Sequence, residues 1–259
     1  MEEAQDAFRE AEAMQKEMQP EYPLLYSVQG YRYCDLLLSR SGFGLWLLDG
    51  RRPAGSDVRW TVLARNADAA ARATTLDEAI ELCREVQKRA EQTLEWAKAH
   101  LGLLDIALDD LSLGRALLLE HCLAGETSTL ETATEHLNAT VDGLRQSGHQ
   151  WMLPHGLLAR AALRRITGDA SGAAHDLAEV QESAQRSGMR LFQVDALIEE
   201  ACRQMANANA GSTSNETTPP TADWKAKARK CVAKAKALIE ETAYHRRDPE
   251  IKYLEQILG

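Results

Sequence analysis

The residues of this chain that could do chemistry are scattered along it. Tyr244 is followed by His245-Arg246-Arg247-Asp248, an order in which a kinase catalytic loop presents its base. The downstream asparagine and every other kinase element are missing. Asp248 instead precedes Pro249 as an N-cap residue precedes the first helical position, so the run reads as a turn in which Asp248 caps a final helix. The seven histidines include no HExxH pair and no Cys-His pair at metal spacing, and the chain has no GxSxG nucleophile elbow. A hydrolase or metal site would therefore need long-range assembly, and no metal or other cofactor is expected. The five cysteines, Cys34, Cys83, Cys122, Cys202 and Cys231, are far apart and set in apolar surroundings, which suits buried reduced thiols.

Charge excludes further classes. The 30 basic and 39 acidic residues leave a net charge of -9, which opposes a phosphate backbone, so nucleic acid is not an expected partner. Lys225, Lys227, Arg229, Lys230, Lys234 and Lys236 form one basic run. At 100° per residue, however, Trp224, Ala228, Cys231, Val232, Ala235, Leu238 and Ile239 share one face and the bases fan over the remainder. That is a solvated helix face, with an acidic partner or the acidic first helix of another copy as the minority reading. No apolar run is long enough to span a bilayer, and Met1-Glu2-Glu3 does not open a signal peptide, so a cytoplasmic chain away from membranes is expected. In that setting Asn138-Ala-Thr140 and Asn215-Glu-Thr217 are chance matches to the glycosylation pattern.

The elements that must position these residues are helices. Aromatic residues make up only 5% of a chain that is 44% hydrophobic, and Ala and Leu are abundant, which suits close helix packing better than a sheet. A small–large–small pattern at i, i+4, i+7 recurs in Ala4-Phe8-Ala11, Ala90-Leu94-Ala97, Ala133-Leu137-Thr140, Ala173-Leu177-Val180 and Ala228-Val232-Ala235, as in the second helix of a tetratricopeptide unit. Gly30, Gly114 and Ala161 supply the small residue at which paired helices would approach. The periodicity predicts helices near 2–19, 22–39, 76–99, 102–123, 128–147, 153–167, 170–187, 189–207, 222–242 and 249–258. Thr75 with Glu78 and Ser128 with Glu131 spell capping boxes, Gly148 and Gly188 suit helix ends, and Pro23 and Pro154 suit first turns. Two segments break the pattern. Residues 40–75 form a Gly-rich insertion anchored by Trp46 and Trp60, and residues 207–222 (NANAGSTSNETTPPTA) read as a disordered loop inside the last hairpin.

The stretches PEYPLLYSVQGYRYCDLLL (20–38), RAEQTLEWA (89–97), LLDIALDDLSLGRALLL (103–119), LPHGLLARAALRRITGD (153–169), GMRLFQVDALIEEACR (188–203) and IEETAYHRRDPEI (239–251) resemble the bacterial tetratricopeptide-like arrays at the C-terminal ends of NACHT- and NB-ARC-type signalling ATPases. The resemblance implies a sensor or scaffold. It does not extend to ATP hydrolysis, since no GxxxxGK[ST] phosphate loop is present.

The expected architecture is a single all-α domain over 1–259: a right-handed α-solenoid of about four hairpins with a C-terminal capping helix. Its function would be to bind a protein or peptide in a concave groove, without enzymatic activity of its own. If Gly30, Gly114, Ala161 and Ala201 mark equivalent positions, that groove would present Ser27, Tyr31, Leu111, Arg115, His155, Arg165, Asp195 and Glu199. Tyr31, Arg115 and Arg165 are the residue types favoured as interface anchors. The alternative is a sensing C-terminal region of a larger ATPase, in contact with domains of a longer chain. Self-association is a further possibility.

Overall fold

The computed structural model describes residues 2–40, 75–125, 127–210 and 223–259, and every regular element among them is helical. In chain order these are α1 (Glu2–Met18), α2 (Ser27–Arg40), α3 (Leu76–His100), α4 (Leu103–Ala124), α5 (Thr127–Gln146), α6 (Leu153–Thr167), α7 (Ala170–Arg186), α8 (Arg190–Ala210), α9 (Asp223–Thr242) and α10 (Asp248–Leu258), with a 3-10 turn at His245–Arg247 before α10. Contacts group the described residues up to Gly156 into one compact unit and those from Leu157 onward into a second, so the boundary falls within α6. The insertion expected at 40–75 lies, from 41 to 74, outside the described residues, as does the expected loop from 211 to 222. Asn207–Ala210 continue α8 and do not begin that loop.

Helices pack on their neighbours in the chain. In the first unit α4 contacts α2, α3 and α5, which explains a sequence that is apolar around most of its circumference. In the second unit α8 lies between α7 and α9, and α10 packs on α9. The recurrent triplets fall on alternate helices. Ala90-Leu94-Ala97 on α3, Ala133-Leu137-Thr140 on α5, Ala173-Leu177-Val180 on α7 and Ala228-Val232-Ala235 on α9 are all buried. Only α1 departs: its Ala4 is exposed, and Phe8 and Ala11 are half-buried.

Gly114 marks a close approach, since a Cβ there would sit 2.6 Å from Cγ of Leu137 on α5. Gly30 plays a different part from the one expected. The backbone that a Cβ there would strike, at 2.5 Å, is the Leu25 carbonyl of its own preceding turn and not a paired helix.

The predicted α2 starts five residues too early. Residues 19–26 form a turn in which Tyr22 packs edge-on against Trp96 of α3, with ring centroids 5.2 Å apart, and the Leu25 amide donates to Glu12 of α1 at 3.0 Å. Pro23 therefore lies in this turn and not in a first helical turn. Ser27 enters α2 with φ of 57°.

Of the predicted caps, Thr75 and Glu78 form a reciprocal box, with bonds of 3.1 and 3.2 Å. Gly148 and Gly188 hold φ of 74° and 65°, the left-handed conformation expected just past a helix. Ser128 lies inside α5, which begins at Thr127. Asp248 is already helical, and its carboxylate accepts from His245 Nδ1 at 3.1 Å and caps no backbone amide.

Candidate functional site

Six of the eight predicted groove residues fall in two polar clusters, one in each unit, and Ser27 and Leu111 belong to neither. In the first unit, Tyr31 of α2, Arg115 of α4 and His155 of α6 meet. The Tyr31 hydroxyl shares a 3.0 Å hydrogen bond with His155 Nδ1, and Arg115 Nη1 approaches the same hydroxyl at 3.5 Å. Arg115 Nη2 donates to Asp35 of α2 at 2.7 Å. The rings of Tyr31 and His155 pack edge-on with centroids 5.4 Å apart. Spacing explains the meeting: Tyr31 and Asp35 are one helical turn apart, so both point from α2 toward α4.

In the second unit, Arg165 of α6 donates from Nε to Glu199 of α8 at 2.5 Å. Asp195, one turn before Glu199, accepts from Arg247 Nε at 2.7 Å, and Arg247 Nη1 donates to Glu250 at 3.2 Å. Burial raises the pKa of Glu199 despite the Arg165 guanidinium. Burial also works against the charge on Arg247, but Asp195 and Glu250 outweigh it and hold this guanidinium well above its ordinary value.

These positions do not form the open surface expected of them. Leu111 is 0% exposed, Tyr31 5%, Arg165 7% and Arg115 9%, and the arginines spend their donors on carboxylates of neighbouring helices. Ser27, His155, Asp195 and Glu199 are half-buried. Arg115 and Arg165 do meet other predicted residues, but as buried ties between helices. A long apolar helix such as α4 can carry charge only where a partner waits.

Sequence reasoning missed most of those partners. Thr93 donates to Asp109 at 2.7 Å, His136 to Asp110 at 2.8 Å, and Arg84 and Gln87 to Glu120 at 3.0 and 2.6 Å. Asp109 is the exception within this set. Its Oδ2 has no hydrogen-bond partner among the described residues, and burial pushes its carboxyl up to about 7, with Asp105 and Asp110 adding to the effect and Thr93 opposing it. In α6 and α7, Asp176 is fully buried between two guanidinium groups. It accepts from Arg160 at 3.0 and 2.7 Å, and Arg164 Nη1 lies 2.7 Å from its Oδ2.

One open recess stands apart from these ties. It occupies about 640 Å3 in the first unit, between the 19–26 turn and α3, with Pro20, Pro23, Leu24 and Trp96 as apolar walls and Glu85 and Lys88 among the polar groups at its rim. No group of three or more potential metal ligands occurs among the described residues, and no helix among them is long and apolar enough to cross a membrane. All five cysteines are free thiols. No protein-family model, curated protein or solved structure matches this chain.

Proposed function

We propose that this protein is an interaction scaffold, a tetratricopeptide-like α-solenoid that presents a preformed helical surface to a protein or peptide. One observation carries the reading: α3, α5, α7 and α9 each bury the same small–large–small triplet, while α2, α4 and α6, the helices between, meet through Tyr31, Arg115 and His155. Alternation of this kind supports two helical layers built from repeated hairpins, an architecture whose exposed surface is usually put to binding. Ion pairs between helices hold that surface in place before a ligand arrives, so little ordering would be needed on the scaffold's side.

The recess beside α3 is the docking surface this reading favours, because it joins apolar walls to charged rims. The test is affinity capture from the native lysate with the wild type and with Glu85→Lys/Lys88→Glu, two exposed positions whose reversal leaves the helix intact. A protein retained by the wild type and lost by the folded variant is the expected result. Retention of no specific protein at moderate salt would overturn the scaffold reading, and equal retention by both would remove the recess from it. Arg115→Glu/Arg165→Glu is not a docking test, because both arginines tie helices together; it is expected to lower the melting temperature.

A further inference from the structure

The helix α1 leaves a face uncovered that its counterparts bury. Ala4, Ala7, Ala11, Met14 and Met18 recur at alternating steps of three and four, which places them on one stripe along the helix. Met14 is 56% exposed and Met18 77%. The opposite commitment of α1 is made by other residues: Phe8 stacks on Tyr33 with centroids 5.0 Å apart, and Glu12 pairs with Arg89. The stripe is therefore not what holds α1 to its own unit. Along one border run Glu3, Glu10 and Glu17, all exposed and spaced seven residues apart, or about 10.5 Å along the axis.

The exposed face of α9 has the complementary character. Ala226, Ala233 and Ala237 form a flat, shallow stripe, and Lys227, Lys230 and Lys234 line its border, all of them exposed. Lys227 and Lys234 share the seven-residue spacing of the glutamates. The two helices also differ in net charge: α1 has six acidic and two basic residues, α9 six basic and three acidic. Small residues on one helix and long, flexible methionines on the other let two helices approach closely. A pairing of α1 with α1 would instead set glutamate borders against each other.

We infer that the Met14–Met18 stripe of α1 docks on the alanine stripe of α9 in a second copy of this chain, with the Glu10 and Glu17 border against Lys227, Lys230 and Lys234. The contact is heterologous, since each copy offers one α1 face and one α9 face, so copies join head to tail, as a ring or an open chain according to the rotation between them. One helix face on another buries less than the roughly 1,200 Å2 of a standard interface, which makes the contact weak and dependent on concentration. The inference does not rest on the scaffold reading.

Sedimentation velocity on the purified chain over a concentration series tests it. The wild type is expected to form species that grow with concentration, with affinity falling roughly tenfold between about 0.1 M and about 1 M salt as the Debye length shrinks from about 10 Å to about 3 Å. Met14→Glu/Met18→Glu and Lys230→Glu/Lys234→Glu are each expected to be folded and monomeric. Mixed together they are expected to form a dimer and nothing larger, because each retains the end that the other lacks. A wild type that stays monomeric at all concentrations overturns the inference, as does assembly that survives Lys230→Glu/Lys234→Glu or a mixture that remains monomeric.

Discussion

Asp176 is the carboxylate in the second unit whose environment makes the sharpest demand. It is fully buried on α7, clasped in two bonds by Arg160, whose side chain is almost as deeply buried, and approached by Arg164, which keeps a quarter of its side chain in solvent. Removing one partner of a buried pair leaves the other charge uncompensated, at a cost of about 3–5 kcal/mol. For Arg160→Met the cost falls at the lower end, about 3 kcal/mol, because Arg164 still neutralises Asp176. Asp176→Leu sits at the upper end: Arg164 can turn outward, but Arg160 cannot. The double variant Arg160→Met/Asp176→Leu leaves no buried charge and should be more stable than Asp176→Leu alone, with a coupling of about 1–3 kcal/mol. Urea unfolding followed by circular dichroism measures all three free energies, and melting should drop by about 2–4 °C for each kcal/mol lost in a chain of this size. A cost below about 1 kcal/mol for Asp176→Leu, or strictly additive single variants, would refute the claim that the cluster acts as a neutralised unit.

Three more outcomes follow from the first unit and the thiols. The folded Asp109 carboxyl titrates at about 7 and the unfolded one at about 3.9, so the folded state holds the extra proton between them and wild-type stability falls as pH rises through that window. The stability of Asp109→Asn relative to wild type should therefore improve from about pH 5 to about pH 8, and a difference constant across that range would remove the raised titration. Gly114→Ala should cost about 1–3 kcal/mol by overpacking against Leu137, although alanine in an open helix would gain up to about 1 kcal/mol; a stabilised variant on thermal melting would show that α4 and α5 can part without loss. Burial pushes the Cys34 thiol up to about 12 and raises Cys202 as well, whereas Cys231 is half-buried. Thiol titration with an aromatic disulfide should find Cys231 reacting first in the native protein and the other four only on unfolding; early labelling of Cys34 would contradict its burial.

Much of the helical layout was legible because its signal is local. The period of apolar residues, the Thr75–Glu78 box and the glycines at 148 and 188 all act within a few residues of themselves, so one sequence suffices to read them. The start of α2 was not legible in this way, since the turn that displaces it is held by Trp96, more than seventy residues on. The polar site was half legible. Spacing from Gly30 and Gly114 pointed to Tyr31 and Arg115, and the structure does bring them together with His155. Periodicity reports which residues share a face, not whether that face meets water or another helix. For that reason Arg115 and Arg165 read as ligand anchors when they are ties, and Asp35, the partner of Arg115, and Arg247, the partner of Asp195, went unread. α1 carried the same triplet as the buried helices, so the exposure of Ala4 within it could be found only in three dimensions.

Packing on sequence neighbours has a consequence for how such a chain acquires its structure. Where α4 packs on α3 and α5, the helices just before and after it, the loops to be closed are short and the entropic barrier to each step is low, whereas its tie to α2 joins Arg115 to Asp35, 80 residues apart. Short loops of this kind predict early pairing of α3, α4 and α5, which suits assembly during translation, with each of these helices emerging from the ribosome to meet a surface its predecessor has already made.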